Sequence, residues 1–172
     1  MTYAIRTILL IFLLLSPLAL AQEVGVLHLR PLHLELPATW SFDGAKTPIE
    51  GTGPEGERLL ASIIRRRPDA AATTPPATEA ARGFAQNRMS QLSAKDGKTI
   101  IREVTELPAP AGKVAFSAAS EKPSLLSGSR YFIQYLLACD SAMFYFTVEG
   151  NGKAAPVLDR FDQIISRQQW DN

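Results

Sequence analysis

Tyr131-Phe132-Ile133-Gln134-Tyr135-Leu136-Leu137-Ala138-Cys139, then Asp140-Ser141, then Ala142-Met143-Phe144-Tyr145-Phe146-Thr147-Val148-Glu149 is the stretch whose reading decides the fold. Both runs are apolar and rich in aromatic and branched residues, which suits strands. The first has almost no polar face, the pattern of a central strand. Two residues between the runs is hairpin length, although Asp-Ser is not the preferred Asn-Gly turn chemistry. Cys139 is expected to be buried as a small hydrophobe. It is the only cysteine, so no intrachain disulfide can form.

Downstream, Gly150-Asn151-Gly152 closes the sheet. A helix is predicted from near Ala154, with Val157, Phe161, Ile164 and Ile165 on one stripe, stopping before Trp170. Upstream, residues 113–119 place Val114, Phe116 and Ala118 on one face of a strand, and residues 99–107 form another. Residues 95–98 are a turn that ends a helix over 79–94, whose apolar stripe is Ala81, Ala85, Met89 and Leu92 with Phe84 beside them. Thr74 can cap that helix, and Pro75 or Pro76 suits its first turn. Residues 69–78, rich in Ala, Thr and Pro, read as a linker. A strand over 57–64 precedes it and ends in Arg65-Arg66-Arg67-Pro68. Residues 43–56 hold four glycines and two prolines, which predicts a mobile loop. Leu32, Leu34 and Leu36 alternate with His33 and Glu35, a half-buried strand. The expected class is α+β, an antiparallel β-sheet flanked by helices.

The start of the chain has the three parts of a secretory signal. Arg6 precedes an apolar core from Ile8 to Leu15, Ser16-Pro17 breaks it, and Ala19-Leu20-Ala21 provides the small residues of a cleavage site. The core is too short for a membrane span of about 20 residues. The expected organisation is residues 1–21 as signal peptide and 22–172 as a single α+β domain, periplasmic or secreted and without a transmembrane segment. No cysteine follows the leader to carry a lipid anchor. Lys plus Arg is 18 and Asp plus Glu is 17; removal of Arg6 leaves 17 against 17. A neutral domain lacks the electrostatic footprint of a nucleic-acid binder.

Leu34-Glu35-Leu36-Pro37-Ala38-Thr39-Trp40 resembles the strand-Pro-x-x-Trp opening of the PsbP/Mog-like α/β/α sandwiches. Phe144-Tyr145-Phe146-Thr147-Val148-Glu149, Phe161-Asp162-Gln163-Ile164-Ile165-Ser166 and Trp170 resemble that group's last strand, last helix and closing Trp. The order of elements is similar to that of the bacterial DcrB-like exported members. Thr39 stands where the group has Gly, a departure in the turn before Trp40. The resemblance implies a sheet between helices and mostly non-enzymatic relatives that stabilise membrane complexes or bind other proteins. It also implies that Trp40 and Trp170 are structural, as expected of large aromatics beside a strand or helix.

Few residues suggest chemistry. His28 and His33 are five apart, which on an uninterrupted strand puts them on opposite faces, with Pro31 able to change the register. Two imidazoles fall short of the three or four protein ligands of a zinc site, so no metal is expected. No Gly-x-Ser-x-Gly elbow supports a serine triad. Gly51-Thr52-Gly53-Pro54-Glu55-Gly56 lacks the Lys-Ser/Thr of a phosphate loop. Neither a catalytic residue nor a cofactor is expected. Arg65, Arg66 and Arg67 are the sharpest charge feature and the candidate partner surface, although Glu57, Asp69 and Glu79 lie near enough in sequence to neutralise them. These features predict an exported, non-enzymatic accessory or binding protein acting through protein–protein contacts. Its alternatives are a periplasmic immunity protein against a toxin, or a carrier of a small apolar ligand.

Overall fold

The computed structural model describes residues 24–67, 75–125 and 128–171. The leader 1–21 with its cleavage site before Gln22, the candidate cap Thr74, Asp69 and most of the expected linker lie outside the described residues. The strands are β1 (Val24–His28), β2 (Leu32–Pro37), β3 (Ser41–Asp43), β4 (Ile49–Thr52) and β5 (Arg58–Arg65). Helix α1 (Ala77–Phe84) runs through a π turn (Ala85–Met89) into α2 (Ser90–Ala94). Then come β6 (Thr99–Leu107), β7 (Val114–Ser124), β8 (Gly128–Cys139), β9 (Ala142–Asn151), α3 (Ala154–Ser166) and β10 (Gln169–Trp170).

Strands β8 and β9 form the expected hairpin, with Cys139 opposite Ala142 across Asp140-Ser141. They lie inside an antiparallel seven-stranded sheet of order β3-β4-β5-β9-β8-β7-β6. Side chains alternate across the sheet. Tyr131, Ile133, Tyr135, Leu137 and Cys139 of β8, with Phe144, Phe146 and Val148 of β9, face the larger core, which α3 closes with Val157, Phe161 and Ile165. Leu136, Ala138 and Met143 face the other side, where Ala81, Ala85 and Met89 of the mid-chain helix cover them. Burial on both faces is why this hairpin reads as nearly continuous apolar sequence.

A second, three-stranded sheet of order β1-β2-β10 lies on the α3 side and adds Leu32, Leu34 and Leu36 to the larger core. Helix α3 has no capping side chain of its own at Lys153. Glu121 of β7 takes that role: its Oε1 accepts the Ala154 N–H at 2.8 Å and its Oε2 the Lys153 ammonium at 3.1 Å. A carboxylate at a helix N-terminus meets unsatisfied N–H groups and the positive dipole end.

Two expectations are corrected. Residues 43–56 are not simply a mobile loop, because β3 and β4 pair there and β4 joins the main sheet through β5. The glycine that signals a loop serves a close contact instead: Gly51 faces Phe42, and a Cβ on Gly51 would fall 2.5 Å from Phe42 Cε1. The helix begins at Ala77, with Pro76 at its N-cap, so the expected linker ends before residue 78.

Candidate functional site

Strand β5 ends at the rim of the sheet, where the chain leaves through Arg66 and Arg67. The Arg66 N–H donates to the Ser141 carbonyl at 2.8 Å, which fixes this exit against the β8–β9 turn. On the other side Ala77 N–H donates to the Asp140 carbonyl at 3.2 Å, and Thr78 Oγ1 to Asp140 Oδ1 at 3.1 Å. One hairpin turn therefore positions both the end of β5 and the start of α1. Between them lies a cavity of about 440 Å³ lined by Ile64, Arg65, Arg66, Arg67, Pro75, Ala77, Ala80 and Met143. Its floor is apolar, Ile64 is 53% exposed, and Arg65, Arg66 and Arg67 line its edge, the Arg65 guanidinium turning away to the opposite face of the sheet.

The structure thus brings all three candidate arginines to one cavity. Their expected neutralisation by Glu57 is corrected. Glu57 is buried, and its Oε1 accepts from Arg160 Nη2 of α3 instead. Its Oε2 accepts the Glu55 N–H at 2.9 Å. Glu79 is exposed on α1. Arg65 is partly committed, since its guanidinium donates to the Arg30 carbonyl at 3.0 Å and the Leu29 carbonyl at 3.3 Å. Met143, Ala77 and Ala80 carry no sequence signal that would join them to the arginines, from which they are separated by a helix start or three strands.

For the histidines, the change of register that Pro31 allowed is what the structure shows. Pro31 falls in the turn between β1 and β2, so the chain reverses and His28 pairs directly with His33. Their Nδ1 atoms are 2.7 Å apart, and His33 Nε2 lies 2.8 Å from Asp171 Oδ1. Among the described residues no group of three or more His, Cys, Asp or Glu side chains is arranged to hold a metal ion.

The interior polar groups do structural work. Asp162 of α3 accepts from Tyr135 Oη at 2.7 Å and pairs with Arg102 of β6 at 2.7 Å, which ties the helix to two strands. Burial, and then the Asp162 carboxylate, push the Tyr135 hydroxyl far above the ordinary tyrosine range. Burial first, and the Glu57 charge second, raise Tyr131 to about 12. Trp40 packs between Phe42 and Phe161 and is buried, as expected. Trp170 is only partly buried, edge-on to Phe144 with the Lys113 ammonium 5.3 Å from its ring centre, so it closes the core at its margin.

No protein-family model matches the sequence, and no curated protein does. Solved structures do. The cyanobacterial PsbP (CyanoP) from Synechocystis is similar over 87% of this chain and 92% of its own, with 12% identity and a TM-score of 0.53. LpqN, involved in cell envelope biogenesis of Mycobacterium tuberculosis, is similar over 87% of this chain and 91% of its own, with 11% identity and a TM-score of 0.55. The fold expected from Leu34 to Trp40 and from the closing strand and helix is the fold found: a PsbP-like α+β sandwich of a large antiparallel sheet between helices.

Proposed function

We propose that this chain is an exported accessory protein that acts without catalysis, by contact with another protein at the face carrying Arg65, Arg66 and Arg67. On this reading residues 1–21 are removed and residues 22–172 fold as one domain in the periplasm or outside the cell. The observation that carries it is the cavity at the end of β5, an apolar floor with Ile64 open to solvent at the edge formed by Arg65, Arg66 and Arg67. Apolar contact supplies affinity, and arginines at its edge select and steer an acidic partner. The partner chemistry is an acidic segment bearing one apolar anchor. A toxin blocked by such a contact would be one form of this role.

A photo-crosslinking residue at position 64 tests the proposal, with the same residue at the exposed Val26 on β1 as control. A discrete adduct is expected from position 64 only, lost on Arg67→Glu and weakened by salt, which screens exposed charges over about 8–10 Å. Equal adducts from both positions, or none from 64, overturn it. A second reading, carriage of an anionic apolar small molecule, is favoured by the cavity's volume, which lies within the roughly 300–1,000 Å³ of ligand pockets. Saturable binding of a fluorescent fatty acid that Ile64→Asp abolishes would support carriage over contact.

A further inference from the structure

We propose that His28 and His33 form an open two-imidazole chelate for a divalent transition-metal ion, Cu(II) ahead of Ni(II) and Zn(II). Imidazole suits all three ions, and Cu(II) heads the divalent affinity order. The site lies on the β1–β2 hairpin, outside the arginine face's cavity, and shares with it only Arg65, whose guanidinium braces the hairpin. Register places the two residues directly opposite each other, and their Nδ1 atoms face each other at 2.7 Å. Nitrogens bound to one ion at about 2.0–2.1 Å each stand roughly 3 Å apart when they meet it at a right angle. The separation therefore needs to grow by only a few tenths of an ångström, while each ring turns by about 45° to aim its lone pair at the ion rather than at the other nitrogen.

The second imidazole nitrogen of His33 supports the same assignment. Asp171 Oδ1 lies 2.8 Å from His33 Nε2. A carboxylate accepts and does not donate, so in a neutral His33 the bond to Asp171 calls for the proton on Nε2 and leaves Nδ1 with a lone pair. This is the carboxylate–imidazole arrangement that orients metal-binding histidines. When no ion is bound, His28 Nδ1–H donates to that lone pair. On binding, the His28 proton transfers through solvent to its own Nε2, since the residue is exposed, and both Nδ1 lone pairs meet the ion without net proton loss.

The frame is held at three points. The Asp171 N–H donates to the Pro31 carbonyl at 2.7 Å, and Arg65 donates to the carbonyls of Leu29 and Arg30. Gln169 Nε2 donates to Glu35 Oε1 at 2.7 Å, which fixes β10 alongside β2. No third side chain among the described residues joins the two imidazoles as ligand. Water fills the remaining positions, so the ion is exchangeable and open to an outside ligand.

Titration of the tag-free protein with Cu(II) buffered by glycine tests the proposal, with electron paramagnetic resonance on the bound ion and circular dichroism on every variant. One saturable Cu(II) per chain with two imidazole nitrogens is expected. His28→Gln, at an exposed position, should abolish that signal while the circular dichroism stays unchanged. Asp171→Asn should weaken binding by about 10–100-fold, the usual effect of losing such a supporting partner. The proposal is overturned if the wild-type protein shows no saturable binding. It is equally overturned if His28→Gln binds Cu(II) as tightly as wild type, with the same nitrogen signature.

Discussion

Glu57 shows how one side chain can serve the fold where sequence proximity suggests another role. It stands eight residues before the first arginine of the triplet, yet it is 2% exposed and joined to Arg160 from the far end of the chain. Gly53 makes room for it, since a Cβ there would lie 2.5 Å from Glu57 Oε2 and 2.7 Å from Trp40 Cζ2. Removing one partner of a buried ion pair leaves an uncompensated charge, at a cost of about 3–5 kcal/mol. Arg160 is one-third exposed and also reaches Glu55 at 3.7 Å, so Glu57→Gln is expected near the lower end, about 3 kcal/mol by urea denaturation. Tyr131, raised by burial and by that same carboxylate, adds a pH dependence. An unfolded tyrosine releases its proton near pH 10 and the folded one near 12, so between these values the unfolded state holds fewer protons. Tyr131 therefore contributes stability below pH 10 that is lost as pH rises toward 12. Tyr131→Phe should flatten that decline, and an alkaline melting series that falls as steeply in the variant would refute the assignment.

Among the elements, legibility follows burial. Strands β8 and β9 and helix α3 were readable because their apolar residues keep one period and answer to large cores: Phe144, Phe146 and Val148 at period two, Val157, Phe161 and Ile165 at helical spacing. Strands β3 and β4 were not, because elements of three and four residues carry little apolar periodicity and Gly51 imitates a loop signal while making room for Phe42. The helix stripe was visible, but the π turn at Ala85–Met89 was not, since it shifts backbone bonding without disturbing the burial of Ala85 and Met89. The candidate site was half legible. Three consecutive arginines announce themselves; the apolar floor beneath them is assembled from β5, β9 and α1 and has no local signature. The histidine pair was hidden by Pro31, whose turn converts a spacing of five along the chain into a direct cross-strand pairing.

At the scale of the whole molecule, the three-stranded sheet depends on a strand of only two residues. Trp170 pairs with Leu32 and Gln169 with His33, and the Asp171 N–H reaches the Pro31 carbonyl. Without β10, the central strand β2 would lose its hydrogen-bonded neighbour on one side, while Leu32, Leu34 and Leu36 would keep their place in the core. Deleting residues 169–172 is therefore expected to speed amide exchange in β1 and β2 selectively and to leave β7, β8 and β9 protected. Uniform loss of protection would show that the two sheets unfold as one unit. The same closure sets an order of events in biosynthesis. The first hairpin to be synthesised lacks its third strand until residue 170 is available, and β5 waits for β9, whose Ala142 pairs with Arg65 and Glu149 with Arg58. Contacts this distant along the chain form slowly and late. A polypeptide threaded N-terminus first through a translocation channel would therefore close its large sheet when β9 emerges and its small one only when β10 does.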